Sequence, residues 1–569
     1  MGDGESHQCC SQAFSESNDE FMSGKRWQEC REQVCFDYVV IGSSFCAWAF
    51  THRILSNNPE AKVLILECGE YRREHFEDHE PSEKRELTYS TKTFPWNITR
   101  KMQDEEYIKD LDGVNIFFGG QSAFWRGWCP QPTREDLDGW PDSVKNVVEK
   151  YFPEAVELLN VKSANTIGMN EHVNDNRVFG KLQNVLVERI QSCLPEVSHA
   201  MLAISPDKSR CERIQKTTVA DPLLELLRKK KLEIKINCEV KKIVHENCNA
   251  VSLETSEGNV KLGNAKLILA MGVLPATTLM LNSFPPSSFK PLSGIGSRFT
   301  AHFRSSILAR VPFCKDSRPW SVFHNLKDEI VGRFEVAAMH IPGTNPNQEG
   351  HFHIQLSAIL DCTPRDDTKT TEHQYPDVLP AFLIKKETSS KDPPHLLLVC
   401  KIIGGLDYRN ENNWFRLDSE VPSSEEIVRD NHAAATYNTT LQAVTNETDL
   451  QLWNTMEEST FEMLENAFAM GEDYPDDPCQ LEFWHDPEEG WKRDRPPPDK
   501  IRRNRLVHPA STMWIGEYDE STPVDLDYRF RGVGNVYLTG GALWPVAGSL
   551  NPTCIMAALA MNLADKLLN

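Results

Sequence analysis

The sequence predicts an α/β fold in two lobes, one built around a parallel sheet and the other a mixed α+β unit. Three observations predict it. The chain has 569 residues, too many for one compact core. Runs such as YVVI (38–41), VLIL (63–66) and KLIL (266–269) are unbroken apolar segments, the pattern of strands buried on both faces of a parallel sheet. Joints of strand, glycine turn and helix recur at Gly42, Gly272 and Gly540-Gly541, as in repeated β-α units.

The first joint, FDYVVIGSSFCAWAF (36–50), nearly spells the G-x-G-x-x-G dinucleotide fingerprint, with Gly42, Ser44 and Ala47 at the three glycine positions. The first glycine makes the sharp turn, the second admits the pyrophosphate, and the third lets helix and strand pack closely. Gly42 keeps the first job and Ala47 substitutes for the third. Ser44 weakens the second, although serine adopts ordinary backbone angles and its hydroxyl is able to donate to a phosphate oxygen. The next run, AKVLILECG, ends in Glu67, 25 residues after Gly42, where a carboxylate accepts hydrogen bonds from a ribose. A dinucleotide site is therefore expected.

FFGGQSAFWRGWCPQP (117–132) follows, with Gly119, Gly120 and Ser122 ahead of two tryptophans. After Pro141 a helix is expected from the three-to-four spacing of Val144, Val147, Val148, Tyr151, Ala155, Leu158 and Leu159, kinked or divided by Pro153. LEIKINCEVKKIVHE and KLILAMGVLPATTLMLNS bring strands back to the sheet before the turn at Gly272. His351 and His353 share one face of an expected strand, with no further metal ligands in view, so no metal is expected. Residues 361 to 378 read as a mobile loop. RLVHPASTMWIGE places His508 in a His-Pro turn, and the final segment, NVYLTGGALWPVAGSLNPTCIMAALAMNLADKLL, carries Asn551 43 residues later. Asn551 suits a helix N-cap and Pro552 the first helical position.

A formal net charge of -22 argues against nucleic acid or an anionic membrane as partner. No apolar stretch reaches the roughly 18 residues of a membrane span, and MGDGESHQCC lacks a secretory h-region. The expected address is cytoplasmic. The sixteen cysteines are then expected reduced, and the sequons at Asn97, Asn438 and Asn446 read as chance. Gly2 and Ser6 fit a loose myristoylation pattern, against which Asp3 and Glu5 stand; residues 1–34 read as a disordered tail.

Taken together, these segments resemble the glucose-methanol-choline (GMC) flavoprotein oxidoreductases, nearest the branch of pyranose oxidase and cholesterol oxidase. The resemblance runs from about Cys35 to Asn569 in the family's order. It includes GWPDSVKNVVEKYFPEAVELLNV (139–161), GIGSRFTAHF (294–303) and RNENNWFRLD (409–418). It implies a Rossmann-like FAD-binding lobe from residues 35–135, 230–300 and 505–569, and a substrate-binding lobe from 136–229 and 301–504. It implies FAD held by Gly42, Ser44, Ala47, Glu67, Gly119, Gly120, Ser122, Val240, Gly272, Gly541, Ala542, Pro552 and Thr553. Where pyranose oxidases carry the histidine that attaches FAD covalently this chain has Phe124, so FAD is expected without a covalent bond.

The resemblance also implies oxidation of an alcohol CH–OH group, with His508 as base and Asn551 orienting the hydroxyl, and oxygen or another acceptor reoxidising the flavin. An imidazole takes a proton near neutral pH, whereas an amide only hydrogen-bonds. His302 is expected to be structural. Trp125, Trp128, Trp544 and Phe124 suggest an aromatic pocket for a sugar, a sterol or another ring alcohol. The alternatives are a flavin-dependent lyase or decarboxylase on the same fold, or a non-catalytic, weakly flavin-binding descendant. Oligomeric state is not legible.

Overall fold

The computed structural model describes residues 20–33, 35–72, 92–167, 179–206, 214–312, 334–345, 350–361, 395–428, 437–468, 481–517, 519 and 521–568. The chain opens its first lobe with strand β1 (Tyr38–Ile41), helix α1 (Phe45–Asn57) and strand β2 (Val63–Leu66). Helix α2 (Asp142–Leu158) follows, then β3 (Glu233–Lys235), β4 (Lys266–Leu269) and helix α3 (Val273–Ser283). It then builds the second lobe from β5 (Thr300–Pro312), β6 (Phe334–Thr344), β7 (His351–Asp361), β8 (His395–Gly405), helix α4 (Glu447–Phe468) and β9 (Arg502–Ala510). Strand β10 (Val536–Leu538) and helix α5 (Thr553–Leu568) return to the first lobe.

The first sheet has five strands in the order β3-β2-β1-β4-β10, all parallel. Every residue of β1 and β2 is buried, because both faces of such a sheet are covered. The second sheet runs β5-β8-β7-β6 in long antiparallel register, with β9 also paired to β5. Directly opposed residues share a face. Arg304 lies opposite Ile403, Ile403 opposite His353, and Gln355 opposite His340, so one sheet face gathers His302, Arg304, His340, His353 and Gln355. Helix α4 covers the other face, where Trp453 stacks on Phe303 with ring centroids 4.5 Å apart and donates to the Ser305 hydroxyl at 2.8 Å.

The α/β class and two-sheet architecture agree with the sequence, and three local expectations are corrected. Residues 24–32 are a helix, not part of a disordered tail: Ser23 caps it, Trp27 and Cys30 are buried, and Arg26 pairs with Glu233 at 2.6 Å. Helix α2 is continuous through Pro153 and packs on the nucleotide lobe, not the substrate lobe to which 136–229 was assigned. Arg53 reaches both Glu154 of α2 and Asp565 of α5 at 2.7 Å. The boundary drawn at residue 505 falls inside β9, which pairs with the substrate sheet and carries His508 into it. The loop expected at 361–378 lies outside the described residues beyond Asp361, as do Gly2 and Ser6 of the myristoylation pattern. Among the described residues no helix is long and apolar enough to cross a membrane.

Candidate functional site

The β1-α1 turn is fixed by backbone geometry. Gly42 has φ +95°, and a Cβ there would sit 2.7 Å from the Ala270 carbonyl oxygen, so only glycine fits. Ser44 adopts φ -76° and ψ 177°, unstrained as expected. Its hydroxyl, however, donates to the Ala270 carbonyl at 2.7 Å and accepts from the Ala47 amide at 3.4 Å. The hydrogen expected for a phosphate is thus committed to tying α1 to the Ala270–Gly272 turn. Ala47 is fully buried, which suits close packing of helix and strand.

Glu67 is buried, and the sequence did not single out the residue that holds it. Ser43 donates its hydroxyl to Glu67 Oε2 at 2.6 Å and its amide to the same oxygen at 3.1 Å, and Gly69 donates its amide to Oε1 at 2.9 Å. Desolvation raises the carboxyl's pKa, against the lowering effect of these bonds. The Cys68 backbone also lowers it, so the carboxylate's roughly four acceptor positions are largely taken up by the protein itself. The Ser43 hydroxyl also accepts the Gly119 amide at 2.7 Å, joining the second predicted loop to the first. Val240 starts a strand just after Cys238, whose amide donates to the Glu67 carbonyl at 2.9 Å. Removing the hydroxyl in Ser43→Ala leaves a buried N–H and a buried carboxyl each short of a bond, and is expected to lower unfolding free energy by about 1–3 kcal/mol, read from urea denaturation.

The third joint closes on the first two. Gly541 lies against Val273 of α3 and the Pro509 carbonyl, and Gly540 against Cys46 of α1; Ala542 accepts the Met513 amide at 2.9 Å. Gly272 has φ +85° with open space where a side chain would project. Ser122 Oγ, Trp544 Nε1 and Ser549 Oγ are buried without a hydrogen-bond partner among the described residues, although buried polar groups are normally paired. These unmatched groups belong to the two segments expected to border a flavin, so the residues fit such a group. Phe124 packs edge-on against Phe117 at 5.7 Å.

The four aromatics expected to line one pocket pack on separate neighbours. Trp125 lies on Phe45 at 4.6 Å, Trp544 on Trp140 at 5.2 Å, and Trp128 in a cluster with Trp484.

Across from these segments stands the polar face of the second sheet. His302 Nδ1 is 2.9 Å from His508 Nδ1, and His302 Nε2 is 3.2 Å from the Ala547 carbonyl oxygen. A carbonyl only accepts, so His302 carries its proton on Nε2. Burial pushes the His302 pKa down to about 4, so at neutral pH its Nδ1 is bare and accepts from His508 Nδ1–H. Burial also drives His508 well below its ordinary value, leaving His508 neutral with Nε2 unprotonated. His302, expected to be merely structural, sets the tautomer of its neighbour.

Asn551 is oriented in the same way. Its Oδ1 accepts from Gln355 Nε2, which leaves its own NH2 as a donor. This corrects the expected N-cap: the side chain is spent across the lobe interface, the first helical bond runs from the Met556 amide to the Pro552 carbonyl, and α5 begins at Thr553. His353 Nε2 lies 3.3 Å from Gln355 Nε2, the same amide that meets Asn551, and a proton on His340, His302 or His508 would push His353 lower still, so these side chains share one neighbourhood. His353 Nδ1 and His340 Nε2 are buried without partners among the described residues. No three His, Cys, Asp or Glu side chains among the described residues are placed to hold a metal ion. The signal for Gln355 was legible in part: HFHIQ (351–355) puts polar side chains at every second residue of an apolar strand.

This neutral cluster makes stability depend on pH. His302 and His340 are each pushed down to about 4 from 6.5, chiefly by burial, while the unfolded chain protonates them near 6.5. Their contribution is complete above pH 6.5 and is lost as pH falls toward 4. At pH 5 the pair is expected to cost about 4 kcal/mol relative to pH 7. Urea midpoints at the two pH values check this, and His340→Gln should reduce the difference by about half.

Residues 425–560 match the family described as GMC oxidoreductase. An uncharacterized GMC-type oxidoreductase of Sinorhizobium fredii is 34% identical over 89 residues, 16% of this chain and 18% of that protein's length. Two solved structures share the fold at 14% identity. A pyridoxine 4-oxidase from Mesorbium loti has a TM-score of 0.52, covering 93% of this chain and 99% of its own. A formate oxidase from Aspergillus oryzae RIB40, studied for the effect of a mutation on FAD modification, has a TM-score of 0.58, covering 94% and 98%. The fold is that of these oxidases, and the stretch 425–560 is similar to the GMC oxidoreductases.

Proposed function

We propose that this chain, a GMC-type oxidoreductase by its family match and fold, binds FAD and removes a hydride from the CH–OH group of an alcohol, with His508 as base. The observation that carries the reading is the complementary pair: a bare His508 Nε2 and a free Asn551 NH2 on converging segments. A substrate hydroxyl donates to the first and accepts from the second. As the carbon is oxidised, His508 Nε2 takes the hydroxyl proton, while His302 holds the ring through Nδ1 and Asn551 keeps the oxygen in register.

Bound FAD supplies the hydride acceptor, and oxygen or another carrier reoxidises it. The cofactor residues proposed are Gly42, Ser44, Ala47, Glu67, Gly119, Gly120, Ser122, Val240, Gly272, Gly541, Ala542, Pro552 and Thr553, to which Ser43 is added. Helix α5 starts at Thr553 and its positive end favours negative charge. We propose non-covalent attachment, since a phenylalanine ring at 124 has no atom to form the link. A ring alcohol has less support than the CH–OH chemistry, because the four aromatics do not line one wall.

The test is direct. The purified protein should be yellow, release its flavin on acid precipitation, and bleach anaerobically with a reactive alcohol. A folded protein that stays colourless when supplied with FAD would defeat the reading.

A further inference from the structure

On the same sheet face, two residues along β5 from His302, stands Arg304. Its surroundings are unusual for a chain of net charge -22. Arg304 forms no ion pair among the described residues, and its Nε is buried with no hydrogen-bond partner there. Arg503, across from it in the β5-β9 register, has one hydrogen bond, from Nε to the Ser306 hydroxyl at 3.2 Å. Arg126, from the loop after Trp125, has neither ion pair nor hydrogen bond among the described residues.

Arg126 bears on both of the other guanidiniums, and Arg503 bears on Arg304. Burial lowers the pKa of Arg304 to about 10, with Arg126 the next cause and Arg503 and Arg505 adding to it; Arg503 is lowered by burial and by Arg126. Yet Arg126 and Arg503 are exposed by area and Arg304 is only partly buried. The buried Nε of Arg304 thus lies beside guanidiniums that reach solvent. The carboxylate that offsets Arg304, Asp112, is already bound to Lys92 at 2.7 Å and lies 3.9 Å from Arg505.

Gathering like charges around a buried, unpartnered Nε is costly, and a planar guanidinium with spare donors matches a carboxylate or phosphate. We infer that Arg304, Arg126 and Arg503 form a subsite for an oxyanion, so that the alcohol oxidised beside His508 carries a carboxylate or phosphate group. The inference rests on the proposed reaction and deepens it. Two residues of strand span about 7 Å, so the anionic group lies only a few bonds from the reacting carbon.

The test uses the flavin-loaded protein and two readouts. Calorimetric titration with inorganic phosphate asks for the subsite alone. Anaerobic flavin reduction compares matched pairs, glycerol against glycerol 3-phosphate and ethanol against glycolate. We expect phosphate to bind, a charged member to react at least about tenfold faster than its neutral partner, and Arg304→Met to lose phosphate affinity by about tenfold or more, with Arg304→Lys retaining part of it.

Equal rates within both pairs, or phosphate affinity untouched by Arg304→Met and Arg503→Met, overturn the inference. It is also overturned if Arg304→Met stays folded by circular dichroism but sheds its flavin, since the anion is then the cofactor's own phosphate. Phosphate binding that depends on Arg304 while no alcohol bleaches the flavin sustains the subsite and overturns the reaction instead.

Discussion

His508→Asn lowers the rate of alcohol-driven flavin reduction by about 10²- to 10⁴-fold, the range for losing a positioned base, while flavin content stays that of the parent. Two features make asparagine the informative replacement. His508 has φ +51°, a left-handed backbone that asparagine tolerates better than most residues, so the fold has no reason to fail. Asparagine also keeps a hydrogen-bonding group near His302 while removing the imidazole nitrogen that takes the proton. Anaerobic stopped-flow absorbance of the flavin reads the result. A variant that reduces its flavin at the parental rate would assign the proton to another group.

Gly42→Val removes flavin binding and destabilises the fold by about 3 kcal/mol or more. The valine Cβ would lie 2.7 Å from the Ala270 oxygen and 2.8 Å from Met271 Cα, both backbone atoms that cannot swing aside. The φ of +95° adds a conformation that β-branched residues avoid. Flavin absorbance per protein and the urea midpoint report the two losses. Ser44→Gly is the control: it restores the missing fingerprint glycine, loses the bond to the Ala270 carbonyl, and as a cap change costs only a few tenths of a kcal/mol.

Local chemistry made much of the nucleotide lobe legible. The buried runs 38–41 and 63–66, the turn at Gly42 and the carboxyl at Glu67 all follow from short-range pattern, and the structure sets them side by side. Ser43 escaped notice because the fingerprint counts glycine positions and treats residue 43 as free, although its hydroxyl is what joins Glu67 to Gly119. The second lobe was less legible. His302, His340, Gln355 and His508 meet only through the register of β5, β6, β7 and β9, and no local rule sets the pairing of strands so far apart in sequence. The helix Gly24–Glu32 was missed for a similar reason: it is short and polar, and its buried Trp27 finds its partner at the Glu257 carbonyl, 3.0 Å away. Domain boundaries failed at α2 and β9 because each crosses to pack on the lobe opposite its neighbours in sequence.

Ala547, which fixes the His302 proton, and Asn551, which presents its amide, lie on the same short stretch of backbone before α5. The base and the amide that orients the hydroxyl are therefore mechanically linked: a shift of that stretch by about an ångström would scramble one ring's hydrogen position and swing the carboxamide together. Thermal or solvent perturbation short of unfolding should thus switch off turnover in a single step, with no window in which one partner works and the other does not.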